Sequence, residues 1–188
     1  MRKKHYVAYG SNLNIEQMAR RCPGAKLVGT GVIKNYELQF KGREGGAFAT
    51  ISPKLGAETP IAIWSITEAD ERFLDRYEGF PSHYFKEDVP VEVNGKRFNA
   101  MAYVMNLRAK FSVPSSYYYS TVAKGYQDCG LDQSYLEEAV ADSAKQFYRR
   151  NYLELCCSQP SSQEESTLDD DDEYLDDEED TEGWQMRI

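Results

Sequence analysis

Residues 5–9 (HYVAY) form a short apolar run that reads as a buried strand near the start of the chain. Gly10 and Ser11 then lead into residues 14–21, which predict the first turns of a helix with Asn12 or Asn14 as its cap. Residues 25–40 predict two strands around Lys34-Asn35. Residues 47–52 and 61–66 predict two more, bounded by Gly45-Gly46, Pro53 and Pro60. A helix follows over residues 67–77, where Thr67 and Asp70 approximate a capping box and Phe73, Leu74 and Tyr77 form the apolar side. Gly79 is its natural stop. Residues 85–93 and 97–105 flank Asn94-Gly95, the preferred sequence of a type I′ hairpin turn. Pro114-Ser115-Ser116 opens a helix that runs through Asp128 to Gly130. Asp132 caps a longer helix, in which Leu136, Ala139, Val140, Ala144, Phe147 and Tyr148 recur at helical spacing.

The character of the chain changes at Ser158. From residue 159 onward there are 13 acidic residues and one basic; taking these from the totals of 31 and 22 leaves 18 acidic and 21 basic residues before them. The formal charge of −9 therefore belongs to the end of the chain, and residues 1–158 carry +3. Two units are expected: a globular domain over 1–157, and an acidic tail over 158–188 whose like charges and scarce apolar side chains favour disorder. A domain at +3 without a basic cluster has no nucleic-acid footprint. No apolar run has membrane length and no signal peptide is evident, so no membrane partner is expected. The four cysteines (Cys22, Cys129, Cys156, Cys157) have no zinc-site spacing, which points to free thiols in a reducing cytoplasm and to no metal. The oligomeric state is not encoded in any of these features.

Several familiar catalytic patterns are missing, including Gly-x-Ser-x-Gly, a phosphate loop and His-Glu-x-x-His. His5 and His83 are the two histidines, and neither has the surroundings of a nucleophile–histidine pair. Two places remain. Tyr9-Gly10-Ser11-Asn12-Leu13 joins a strand to a helix and leaves backbone N–H groups pointing one way, a cradle suited to a carboxylate. Glu78 ends the 67–77 helix among Tyr77, Phe80, Tyr84 and Phe85. The negative helix end and the aromatic neighbours both raise its pKa, as a group that takes and returns a proton requires.

Tyr-Gly-Ser-Asn-Leu after an N-terminal strand, then Leu74-Asp75-Arg76-Tyr77-Glu78-Gly79 with Tyr84 shortly after, resembles the γ-glutamylcyclotransferase family, including its AIG2-like and γ-glutamylamine cyclotransferase-like members. Ala102-Tyr103-Val104-Met105 and Pro114-Ser115-Ser116-Tyr117-Tyr118 are similar to the family's later strand and helix entry, so the likeness covers roughly residues 5–150 in order. The resemblance implies a mixed α/β fold with a small, partly closed β-barrel and flanking helices. It implies an enzyme that releases 5-oxoproline from a small γ-glutamyl substrate, without metal or cofactor. Glu78 matches the family's acid/base glutamate. Tyr6, Val7, Ala8, Tyr9, Gly10 and Ser11 match the loop holding the glutamyl moiety, with Asn12 adjoining. Tyr118 matches a ligand-contacting tyrosine, uncertain by one position within Tyr117-Tyr118-Tyr119, and Tyr84 and Tyr103 match tyrosines lining the pocket. The glutathione-specific branch has Leu after Tyr-Gly-Ser, so Asn12 argues against it. The alternative is a non-catalytic module that binds γ-glutamyl compounds or 5-oxoproline and uses the acidic tail as a protein-contact arm.

Overall fold

In the computed structural model residues 3–93, 95–106 and 108–157 are described, and the acidic segment 158–188 lies outside them. Five strands, β1 (Lys4–Ala8), β2 (Lys26–Arg43), β3 (Gly46–Ile66), β4 (Tyr84–Val93) and β5 (Lys96–Met105), form a closed barrel in the order β1-β3-β2-β4-β5. Four helices flank it: α1 (Ile15–Arg21), α2 (Glu68–Tyr77), α3 (Ser116–Asp128) and α4 (Ser134–Cys157). A 3-10 turn over Ser11–Leu13 links β1 to α1. The mixed α/β class and the small barrel agree with expectation. The ring closes through two short seams: β1 runs parallel to β5 at Tyr6↔Met101 and Val7↔Ala102, and β2 meets β4 at Gly31↔Val93 and Val32↔Glu92.

Gly31 makes the second seam possible. A Cβ at that position would lie 2.1 Å from the Glu92 carbonyl oxygen, so only glycine lets the two backbones approach this closely.

Strand boundaries differ from the sequence reading in one consistent way. The two strands expected around Lys34-Asn35 are a single strand. Asn35 takes a left-handed φ of 62° inside a bulge that shifts the register between Lys34 and Tyr36. The runs 47–52 and 61–66 are likewise one strand, which continues through Pro53 and Pro60 opposite Tyr36 and Val32. Proline is tolerated in a strand whose nitrogen faces away from its partner, and this stretch of β3 pairs with β2 alone. The β4–β5 hairpin has the expected register, with Val93 opposite Lys96; Asn94 of the turn lies outside the described residues.

Val7, Ile33, Phe40, Ile51, Ile61 and Ile63 of the strands are buried in one core together with Tyr126 of α3 and Leu136 of α4. Within α4 the expected apolar face needs one correction. Tyr148 is 64% exposed, and buried Ser143 instead faces β2, its Oγ accepting the Phe40 N–H at 2.9 Å. Among the described residues no helix is long and apolar enough to cross a membrane.

Candidate active site

The site is assembled from the end of β1, the turn that follows it, and the C-terminus of α2. Asn14, not Asn12, caps α1: its side chain accepts the Gln17 N–H at 3.0 Å. That leaves the Asn12 side chain free to point inward. The turn is held from outside by α3, because Gly125 lies so close that a Cβ there would meet the Asn14 nitrogen and the Leu13 Cβ at 2.6 Å.

Helix α2 is capped as expected, with Thr67 and Asp70 exchanging side-chain-to-backbone hydrogen bonds. Its buried face is not the expected one. Leu74 is fully buried, whereas Phe73 and Tyr77 are about half exposed, and Asp70 and Glu71 complete the inner side. Both acids are partnered, Asp70 by the Thr67 hydroxyl at 2.7 Å and the Gly24 N–H at 3.2 Å, and Glu71 by two lysines. Lys4 and Lys86 reach Glu71 at 2.7 and 2.8 Å, and Lys86 also reaches Asp75 at 2.6 Å. Burial pushes the Glu71 carboxyl up, but hydrogen bonds and charge from Lys4 and Lys86 outweigh it and hold the group below its ordinary value. Tyr103 donates to Asp75 at 2.6 Å, tying α2 to β5. The helix is thereby fixed so that Glu78, its C-terminal cap, stands at the mouth of the barrel.

A small cavity lies there, and Glu78, Tyr6, Tyr9, Gly10, Ser11, Asn12, Tyr84, Tyr103 and Tyr118 all line it. These residues come from β1 and the turn after it, the end of α2, β4, β5 and α3, and span the chain from position 6 to 118. Glu78 as a residue is partly buried, and its carboxyl is the part turned inward. Burial pushes this carboxyl up to about 7, with the Arg21 charge and the Asn12 hydrogen bond pulling in the opposite direction. The Asn12 amide donates to Glu78 Oε1 at 2.9 Å and to Tyr6 Oη at 2.8 Å. Tyr118 Oη accepts the Ala49 N–H at 3.2 Å, and Tyr84 Oη donates to the Ala49 carbonyl at 2.8 Å. Tyr9 donates to the Tyr103 carbonyl. Burial, above all else, holds the hydroxyls of Tyr6, Tyr9, Tyr84, Tyr103 and Tyr118 above the ordinary phenol value. The tyrosines are therefore neutral donors and acceptors at physiological pH, and in this wall Glu78 is the group poised to exchange a proton near neutrality.

Not every residue expected in the site is on the cavity wall. Val7 and Ala8 are buried core residues that do not line the cavity, and Val7 points to the side of β1 opposite Tyr6. In the tyrosine run, Tyr118 is the one turned inward, and Tyr117 is 79% exposed. Two wall or support residues escaped the sequence reading. Ala49 sits among apolar strand residues with no distinguishing mark. Arg21 follows Arg20 at the end of α1, where a basic residue ordinarily serves only the helix dipole. Its Nη1 donates to Asn12 Oδ1 at 2.6 Å and its Nη2 to Gln17 Oε1 at 2.5 Å, while the guanidinium lies over the Tyr77 ring at 3.7 Å.

The inward carboxyl of Glu78, pushed up to about 7, thus shares one small cavity with the glycine turn that follows β1. Comparison with known proteins gives the family of the chain. Residues 6–120 match the family described as γ-glutamyl cyclotransferase, AIG2-like, and the chain belongs to that family. It is 28% identical over 151 residues to γ-glutamylcyclotransferase of Mus musculus, covering 76% of this chain and 80% of the mouse protein. With the Homo sapiens protein of the same name it shares 28% over 148 residues, 72% of this chain and 77% of the human one. A solved structure named γ-glutamyl cyclotransferase superposes with a TM-score of 0.67 at 27% identity, over 73% of this chain and 86% of the other.

Proposed function

We propose that this protein releases 5-oxoproline from a γ-glutamyl amino acid or γ-glutamyl amine, with Glu78 as the single general acid and base and without a cofactor. The observation that carries the reading is the Glu78 carboxyl, inward-facing, at about 7, and surrounded by neutral hydroxyls and the turn that follows β1. The substrate supplies both reacting groups. Its α-amine attacks its own γ-carbonyl carbon, a new C–N bond closes a five-membered ring, and the bond to the leaving nitrogen breaks. Two protons in all pass from the attacking nitrogen to the leaving one, which departs as an ammonium group, and Glu78 is the carrier.

Because the attack is intramolecular, the protein's main task is to hold the bent conformer with nitrogen and carbonyl in reach. Tyr6, Tyr9, Tyr84, Tyr103 and Tyr118 shape that conformer, and N–H groups of the Gly10–Asn12 turn serve the substrate's carboxylate or the oxyanion on its γ-carbonyl. Ser11 is a binding residue in this scheme, not a nucleophile. Its Oγ faces Tyr77 Oη at 3.2 Å, with no histidine beside it to take its proton. Free thiols at Cys22, Cys129 and Cys157 suit a reducing cytoplasm.

The test is 5-oxoproline release from a panel of γ-glutamyl amino acids, γ-glutamyl amines and glutathione. Turnover of an amino-acid or amine conjugate, with little or none of glutathione, is the expected result. Tight binding of 5-oxoproline with no turnover of any conjugate would replace the proposal with a binding module.

A further inference from the structure

Arg20 and Arg21 are adjacent in sequence and opposite in environment. Arg20 is exposed and pairs with Glu16 one turn earlier, as basic residues near helix C-termini commonly do. Arg21 is half-buried, and among the described residues it has no ion pair. Its guanidinium is committed entirely to neutral partners: Asn12 Oδ1, Gln17 Oε1, Ser11 Oγ at 3.4 Å and the face of Tyr77. A half-buried cation without a counter-charge is costly to hold, so its placement needs a reason.

The hydrogen-bond chemistry supplies one. Guanidinium only donates, so whichever Asn12 atom faces Arg21 must be the carbonyl oxygen. The Asn12 NH2 is thereby turned the other way, where its two hydrogens meet the two acceptors within reach, Tyr6 Oη and Glu78 Oε1. Without Arg21 the amide is free to flip, which would present a carbonyl to a carboxylate. The remaining groups around Glu78 are the hydroxyls of Tyr6 from β1, Tyr9 directly after it, Tyr84 from β4, Tyr103 from β5 and Tyr118 from α3, all neutral. Arg21 of α1 is the full charge acting on Glu78, and it favours the carboxylate.

We infer that Arg21 is a positioning residue for the reaction: it fixes the Asn12 amide so that it donates to Glu78, and it places one uncompensated positive charge behind that carboxylate. The inference rests on Glu78 being the acid–base group, and it assigns α1 a part in the chemistry beyond packing.

The experiment compares Arg21→Gln, Arg21→Met, Arg21→Lys and the exposed control Arg20→Gln. The Glu78 carboxyl is titrated by 13C NMR in ligand-free protein, with Glu78→Gln assigning the signal, and the acid limb of kcat/KM is measured in parallel. Loss of the positive charge in Arg21→Gln and Arg21→Met moves the Glu78 midpoint upward by about one pH unit. The acid limb moves with it. Arg21→Lys retains the charge, but one ammonium cannot hold Asn12 Oδ1 and Gln17 Oε1 together as the fork does, so its midpoint rises by less than in the neutral variants while kcat falls roughly tenfold. Arg20→Gln changes neither. A purely structural Arg21 would lower thermal stability in all three variants and leave the midpoint in place, which overturns the inference. If the neutral variants do not fold, Arg21→Lys decides, and an unchanged kcat there also overturns it. Should the parent protein release no 5-oxoproline at all, the proposed function fails, yet the NMR midpoints still report whether Arg21 acts on Glu78.

Discussion

Glu78→Gln separates the electrostatics of the site from its chemistry, because it removes an ionisation and keeps the shape. In the folded protein the Glu78 carboxyl sits at about 7, against an ordinary value of 4.5. The folded state therefore holds a proton that the unfolded chain has already released between those two values. Stability linked to Glu78 is fully present below pH 4.5 and is lost as pH rises through 7. A displacement of about 2.5 units corresponds to about 3 kcal/mol, all of it expressed by pH 8. Glutamine carries no such charge and still offers Oε1 to the Asn12 amide, so the variant escapes the loss. Expected, then, is equal stability of parent and Glu78→Gln near pH 4.5, and a variant more stable by about 3 kcal/mol at pH 8, roughly 6–12 °C in Tm for a domain of this size. Urea unfolding at half-unit pH steps measures it. Parallel stability curves from pH 4.5 to 8 would show that the carboxyl is not destabilised in the folded state, and the physical basis for Glu78 as a proton carrier would go with them.

The chemistry has its own signature: kcat/KM rises with pH through an acid limb near 7, and Glu78→Gln lowers turnover by at least about a hundredfold. Stopped assays across pH 5–9 check both. Gly31→Ala drives a methyl group toward the Glu92 carbonyl at the β2–β4 seam, and a loss on the order of 1–3 kcal/mol in chemical denaturation is expected. Deleting residues 158–188 is expected to leave folding and kcat/KM unchanged, because the described residues that line the cavity all precede them. A truncated protein that is insoluble or slow would give the acidic segment a part in the domain.

Local chemistry made much of this molecule legible from its sequence. The Thr67–Asp70 cap, Gly79 after α2, the hairpin register around Asn94-Gly95 and the helix opening at Pro114-Ser115-Ser116 are each decided within a few residues, and each is present. Long-range pairing was less legible. Pro53, Pro60 and Asn35 are ordinary breakers, yet β2 and β3 run past them because each strand lies against the other for most of its length. The same limit applied to α2, where the apolar spacing of Phe73, Leu74 and Tyr77 suggested an inner face. The Lys4 and Lys86 ammonium groups, 67 and 15 residues away from Glu71, turn the acidic side inward instead. Glu78 and the glycine turn were visible as separate features. Arg21 was not, because its role comes from contact with Asn12, and nothing in the run Ala19-Arg20-Arg21-Cys22 tells the inward arginine from the outward one.

The most direct test of the account is the stoichiometry of a single reaction. Parent protein and Glu78→Gln are each incubated with a γ-glutamyl amine at pH 8, and 5-oxoproline and free amine are quantified together. One 5-oxoproline per amine from the parent, and almost none from the variant, is the predicted outcome. Free glutamate in place of 5-oxoproline would mean that water attacks instead of the substrate's own amine. Equal 5-oxoproline from both proteins would remove Glu78 from the reaction.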